Sequence, residues 1–219
     1  GAAAVLLAFF LSSSLLSRGF VQRKKALSSL VLKGAQRDAM QVFANGGFGT
    51  LCLLLNLWFP DTPLPYVAFC GSFAAANADT WATELGVLSP QPPRLLTNGK
   101  VVERGVSGGV TLFGLLASLL GAALIAGVAT FFVEDKVPML IAVSLAGLLG
   151  SLFDSWLGAS FQAVYFCPLC NKQTERHPHH TCGSPTHLLR GLAWLDNDGV
   201  NFACTLLGGI VAMGISRLI

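Results

Sequence analysis

Charge is what this sequence has least of. Of its 219 residues only 11% are Asp, Glu, Lys or Arg, whereas 53% are hydrophobic. A water-soluble domain carries about 25% charged residues, so a fully solvated surface is excluded and the bilayer is the expected solvent. The formal net charge of +3 gives nucleic acid no support as a partner. No G-x-x-x-x-G-K-[ST] stretch occurs, which excludes a P-loop nucleotide site. A Ser-His-Asp arrangement is also missing, because all four histidines fall between His177 and His187. Nor do the six cysteines form a disulfide framework. Cys52, Cys70 and Cys204 lie singly in apolar stretches, where a thiol behaves as a small hydrophobe. That usage fits a reduced, cytosol-facing compartment.

Long apolar runs dominate the rest. A bilayer-crossing helix needs about 20 mostly apolar residues, and six segments qualify: 1–17, 41–59, 64–88, 106–133, 137–161 and 200–219. The first lacks a basic leading region and an A-x-A cleavage site, so it reads as a membrane helix and not a secretory signal. Gly1 opens directly into it without an initiator Met, so the native N-terminus is expected upstream. The expected fold is an all-α polytopic membrane protein forming a single domain over 1–219. Twelve of the fourteen Lys and Arg residues lie in the three long loops, 18–40, 89–105 and 162–199. By the positive-inside rule those loops face the cytoplasm, and the short links at 60–63 and 134–136 face away. The expected location is a bacterial plasma membrane.

Two segments echo each other. "ANGGFGTL" from Ala44 and "VSGGVTLF" from Val106 each set a small polar residue, Asn45 or Ser107, before a Gly pair. "ADTWA" from Ala78 and "FDSWL" from Phe153 each read Asp, hydroxyl, Trp. The pattern predicts two parallel helical hairpins, about 41–88 and 106–161, with Gly-rich cytoplasmic helix starts and an Asp near each returning end.

Acids inside membrane segments are costly, about 2.5–3.5 kcal/mol for Asp at a helix centre, and so point to function. Asp79 and Glu84, with Asn77, Thr80 and Thr83, form a wedge of oxygens that suits a hard cation such as Mg²⁺. The competing reading is a polar network between helices. "GVSGGVT" from Gly105 reads as a phosphate cradle at a helix N-terminus, with Ser107 and Thr111 as extra donors. Lys100 and Arg104 precede it, as Lys33, Arg37 and Asp38 precede the second span. Carboxylates, Gly-rich helix starts and cations at one face are the parts of phosphoryl transfer. In "DNDGVNF", Asp196, Asn197, Asp198 and Asn201 are further metal or phosphate ligands, or simply a helix cap.

"SSSLLSR", "KGAQRDAMQVFANGG", "ADTWATELGVLS", "TNGKVVERGVSGGVTLFG" and "LDNDGVN" together resemble an integral-membrane family. It includes transmembrane protein 19 of animals and plant phytyl-phosphate kinase. More distantly, Asp79 through Gly86, Gly99-Lys100 and Ser107-Gly108-Gly109 look like the CTP-dependent polyprenol kinases, although Gly108 stands where those carry Glu. The resemblance implies a membrane-embedded kinase that converts an isoprenoid monophosphate, phytyl or geranylgeranyl, to the diphosphate, a step that feeds tocopherol synthesis in plants. On that reading Asp79, Glu84 and Asp154 hold Mg²⁺. Lys100, Arg104, Ser107, Gly108 and Gly109 cradle the phosphates of CTP or ATP. Lys33 and Arg37 clamp the acceptor phosphate, while the isoprenoid tail lies among membrane lipids and apolar helices. Alternatives with the same parts are a polyprenol or phytol kinase and a lipid nucleotidyltransferase. A small-molecule transporter is the third class.

The loop 162–199 holds a separate element. Cys167, Cys170 and Cys182, with His177 or His180, offer a Cys₃His set for structural Zn²⁺. The spacing is C-x2-C-x6-H-x4-C or C-x2-C-x9-H-x-C, and sequence does not choose between them.

Overall fold

A computed structural model describes residues 1–19 and 38–219. These form helices α1 (Ala2–Gly19), α2 (Ala39–Trp58), α3 (Leu64–Gly86), α4 (Leu112–Thr130), α5 (Lys136–Ser160) and α6 (Asn197–Ser216). Five short strands lie between them: β1 (Arg94–Leu95), β2 (Gly109–Val110), β3 (Val164–Cys167), β4 (Lys172–Thr174) and β5 (His187–Arg190). The fold is mostly helical, with β1–β2 and the sheet β4-β3-β5, both antiparallel, as small additions that the all-α expectation omits.

All the helices but α3 are long and apolar enough to cross a membrane. The exception, α3, is the centre of the bundle. It packs against each of the other five, and its residues from Val67 to Ala78 are buried without a break. A helix enclosed by protein needs no apolar stripe toward lipid. Its alanines and glycine instead let neighbouring backbones come close, as packing in membranes requires. Outward-facing side chains are large and apolar, including Leu15, Leu57, Trp58 and Phe131, each more than half exposed and suited to lipid.

Helix ends follow cap chemistry. Asp38 caps α2 by accepting from the Gln41 amide at 2.9 Å, and Thr111 caps α4 by accepting from Gly114 at 3.0 Å. These caps correct the expected Gly-rich helix starts. Gly46 and Gly47 lie inside α2, which begins at Ala39, while Gly108 and Gly109 precede α4 in a turn and in β2. Gly108 adopts φ +81°, and a Cβ there would collide with the backbone of Ala159 at the end of α5. Its role is therefore a left-handed turn at a close backbone approach. The fourth span is correspondingly shorter than 106–133, running only from Leu112 to Thr130.

Candidate functional site

The two aspartates of the echoed motif come from the paired returning helices α3 and α5. At their contact, a Cβ on Gly150 would stand 2.6 Å from the Cβ of Ala75 and 3.1 Å from the carbonyl oxygen of Cys204 in α6. Asp154 and Asp79 each follow that contact by four residues, so both lie about one turn nearer the face that carries the long loops. Both are partly buried. On α6, Asn201 and Asn197 precede Cys204 by three and seven residues, within roughly 60° of it around the helix. Helical spacing thus puts Asp79, Asp154 and Asn201 about one turn from this contact on their three helices, with Asn197 a turn further. Carboxylate and amide oxygens are the donors that Mg²⁺ takes, and thiolate metals are disfavoured there.

Glu84 does not join that set. It follows Asp79 by five residues, roughly 140° around the helix, and its Oε1 accepts from Ser17 of α1 at 2.9 Å. Asn77 lies on the same side, fully buried. It donates to the Gly121 carbonyl of α4 at 2.8 Å and accepts from Ser12 of α1 at 2.9 Å. Trp81 Nε1 donates to the Ser12 hydroxyl at 3.4 Å, and Thr80 bonds back to the Ala76 carbonyl at 2.8 Å. On this side the polar-network reading prevails. Glu84 thus ties α1 to α3 through Oε1, and the helical period sets it roughly 140° from Asp79 around α3.

The expected phosphate cradle is also occupied by protein. Ser107 donates its hydroxyl to Glu175, which accepts from Gln162 Nε2 at 2.9 Å as well. A carboxylate on that serine repels a phosphate. Thr111 serves as the α4 cap, and Arg104 donates to the Ser89 carbonyl at 2.7 Å, holding the chain just after α3. Lys100 is exposed on the loop between β1 and β2. Asn45 bonds back to the Gln41 carbonyl at 2.8 Å within α2, and Asp196 caps α6 by accepting from Gly199 at 2.9 Å. Asp198 is partly buried in the first turn of α6. Lys33 and Arg37 lie outside the described residues.

Sequence reasoning missed Glu175, Gln162 and Arg190. Arg190 of β5 donates to the carbonyls of Gly158 and Ala159 at 3.2 and 2.8 Å, closing the end of α5 one turn beyond Asp154. Burial pulls its guanidinium down from the ordinary value, and the nearby Glu175 charge partly restores it. The signal was a basic residue opposite orphan helix carbonyls, yet the partners lie more than 30 residues apart in sequence.

Beyond α5, the ligand atoms of Cys167, Cys170, His180 and Cys182 all fall within 4.8 Å of one another. His177 does not take part, and its ring instead stacks on Tyr165 at 4.5 Å. Burial pushes the Cys167 thiol up, but hydrogen bonds from the Cys170 amide and from the Cys182 and Cys170 thiols outweigh it and hold its pKa below the ordinary value.

A family model described as integral membrane protein DUF92 matches residues 1–209. The chain is 36% identical to Protein PGR of Arabidopsis thaliana, covering 93% of this chain and 77% of that protein. It is 32% identical to the uncharacterized membrane protein MJ0933 of Methanocaldococcus jannaschii, over 95% of this chain and 74% of the relative. Protein VTE6, chloroplastic, of Arabidopsis thaliana is 27% identical, and the match spans all of this chain but 60% of that protein's length. No solved structure matches. The chain belongs to the DUF92 integral membrane protein family.

Proposed function

We propose that this protein is a membrane-embedded kinase that transfers a phosphoryl group from a nucleoside triphosphate to an isoprenoid monophosphate. The observation that carries the reading is the close Ala75–Gly150 contact of the two returning helices, which Asp79 and Asp154 each follow by one turn. The 27% identity to Protein VTE6 and the resemblance to plant phytyl-phosphate kinase support a lipid-phosphate acceptor. In this reading Asp79 and Asp154 hold Mg²⁺, with Asn197 and Asn201 beside them. The ion, when bound, neutralises the charge of the phosphates. Glu84 is left out because it faces α1.

The chain's own part is positioning. A phosphate monoester has a second pKa of about 6, so at neutral pH the acceptor is already anionic and needs no base from the protein. The histidines' distance in sequence from both aspartates is consistent with that. One acceptor oxygen forms a bond to the terminal phosphorus as the nucleoside diphosphate leaves. The exposed Lys100 is the proposed partner of the nucleotide phosphates, and Lys33 and Arg37 are proposed for the acceptor. The lipid tail lies against the apolar outer faces of the helices, and the reaction proceeds at the cytoplasmic face.

The test is to incubate purified protein with Mg²⁺, labelled CTP or ATP, and phytyl or geranylgeranyl monophosphate, and to identify the lipid product. Lipid diphosphate is the expected result. A nucleotidylated lipid, phosphorylation of the free alcohol alone, or no lipid product would overturn the reading.

A further inference from the structure

We propose that Cys167, Cys170, His180 and Cys182 bind one structural zinc ion, and that this ion holds together the sheet β4-β3-β5, whose other end meets the end of α5. The site stands on geometry. Cys167 ends β3, Cys170 lies in the turn before β4, and His180 and Cys182 come from the loop that leads to β5. Four ligand atoms from these three places fall within 4.8 Å of one another. Cys167 Sγ lies 3.5 Å from Cys182 Sγ, and His180 Nδ1 lies 3.4 Å from the same sulfur. A tetrahedral ion with Zn–S bonds of about 2.3 Å sets its ligand atoms about 3.4–3.8 Å apart. The donor set, three soft sulfurs and an imidazole, favours zinc and disfavours Mg²⁺ or Ca²⁺. Four protein ligands also leave no open position for a substrate, which makes the ion structural.

The sheet has reason to need it. Its strands have four, three and four residues, and Leu169, Leu188 and Leu189 are exposed. Only β3 is buried, the flanking β4 and β5 are short and mostly exposed, and a metal joining such parts contributes folding energy directly. What it holds matters to the bundle. Glu175 follows β4 and accepts from Ser107 and Gln162, while Arg190 of β5 donates to the last carbonyls of α5. The ion would lie at the Cys167 end of β3, three residues from the Val164–Arg190 pair that meets α5, and so acts on the bundle by fixing the sheet that carries Arg190 and leads to Glu175.

Metal analysis of the protein purified in detergent tests the assignment. The expected content is about one zinc per chain, lost in His180→Ala and in Cys182→Ser and kept in His177→Ala. Cobalt-exchanged wild type should show the sulfur-to-metal charge-transfer absorption of a thiolate-rich tetrahedral site, which decides the matter even if a variant fails to accumulate. Chelation should speed tryptic cleavage after Lys172 and Arg176. Wild type without zinc, cobalt protein without thiolate absorption, or zinc retained in His180→Ala and lost in His177→Ala would overturn the proposal.

Discussion

Gly150 of α5 meets Ala75 of α3 so closely that a side chain on the glycine would stand 2.6 Å from the alanine Cβ. This contact sets the register of the two returning helices, and Asp154 and Asp79 each follow it by four residues. Substituting Gly150 with Leu should separate the helices, costing about 1–3 kcal/mol by overpacking. Gly127 of α4, where a Cβ meets nothing within 4 Å, should tolerate Ala and gain about 0.5–1 kcal/mol. Thermal unfolding of both variants in one detergent checks the contrast, and equal midpoints would refute the register.

Glu84→Gln separates the two sides of α3. Because Glu84 meets Ser17 and lies roughly 140° from Asp79 around α3, its neutral isostere should keep turnover within a few-fold of wild type. Loss comparable to that of an aspartate variant would return Glu84 to the metal set.

Arg190→Ala removes two donors from the carbonyls of Gly158 and Ala159. Leaving such acceptors short of partners costs about 1–3 kcal/mol, and the loss should fall on the α5 end. Hydrogen exchange of residues 154–160 measures it: faster exchange confined to that turn is expected, and unchanged protection contradicts the cap.

Topology is tested by single added cysteines in the otherwise native chain, with the native chain itself as the blank. An impermeant maleimide applied from outside should label Asp61→Cys and spare Lys100→Cys. The reverse pattern would invert the orientation.

The helices were legible in the sequence because lipid and protein interior both demand apolar runs of bilayer length. The two aspartates stand out in the sequence because "ADTWA" and "FDSWL" recur at matching ends of two segments. The Gly pairs misled because a Gly-Gly before an apolar run fits a helix start and a left-handed turn equally well, and only the approach of Ala159 to Gly108 decides. The partner of Ser107 was hidden for a different reason. Glu175 lies 68 residues away, beyond a whole helical hairpin. His180 and His177 fit the spacing equally well in sequence, and the fold separates them by stacking His177 on Tyr165 of β3 and setting His180 beside the cysteines. The centrality of α3 was masked too, since six of its twelve consecutive buried residues, Val67 to Ala78, are alanine or glycine.

The pairing of Asp79 and Asp154 is tested most directly by Mg²⁺-dependent lipid diphosphate formation in wild type, Asp79→Asn and Asp154→Asn, at matched membrane insertion. Each single variant should fall at least about a hundred-fold, the scale of losing one charge-stabilising group, and the double variant should fall little further. Substantial Mg²⁺-dependent turnover in either single variant would contradict a shared metal site.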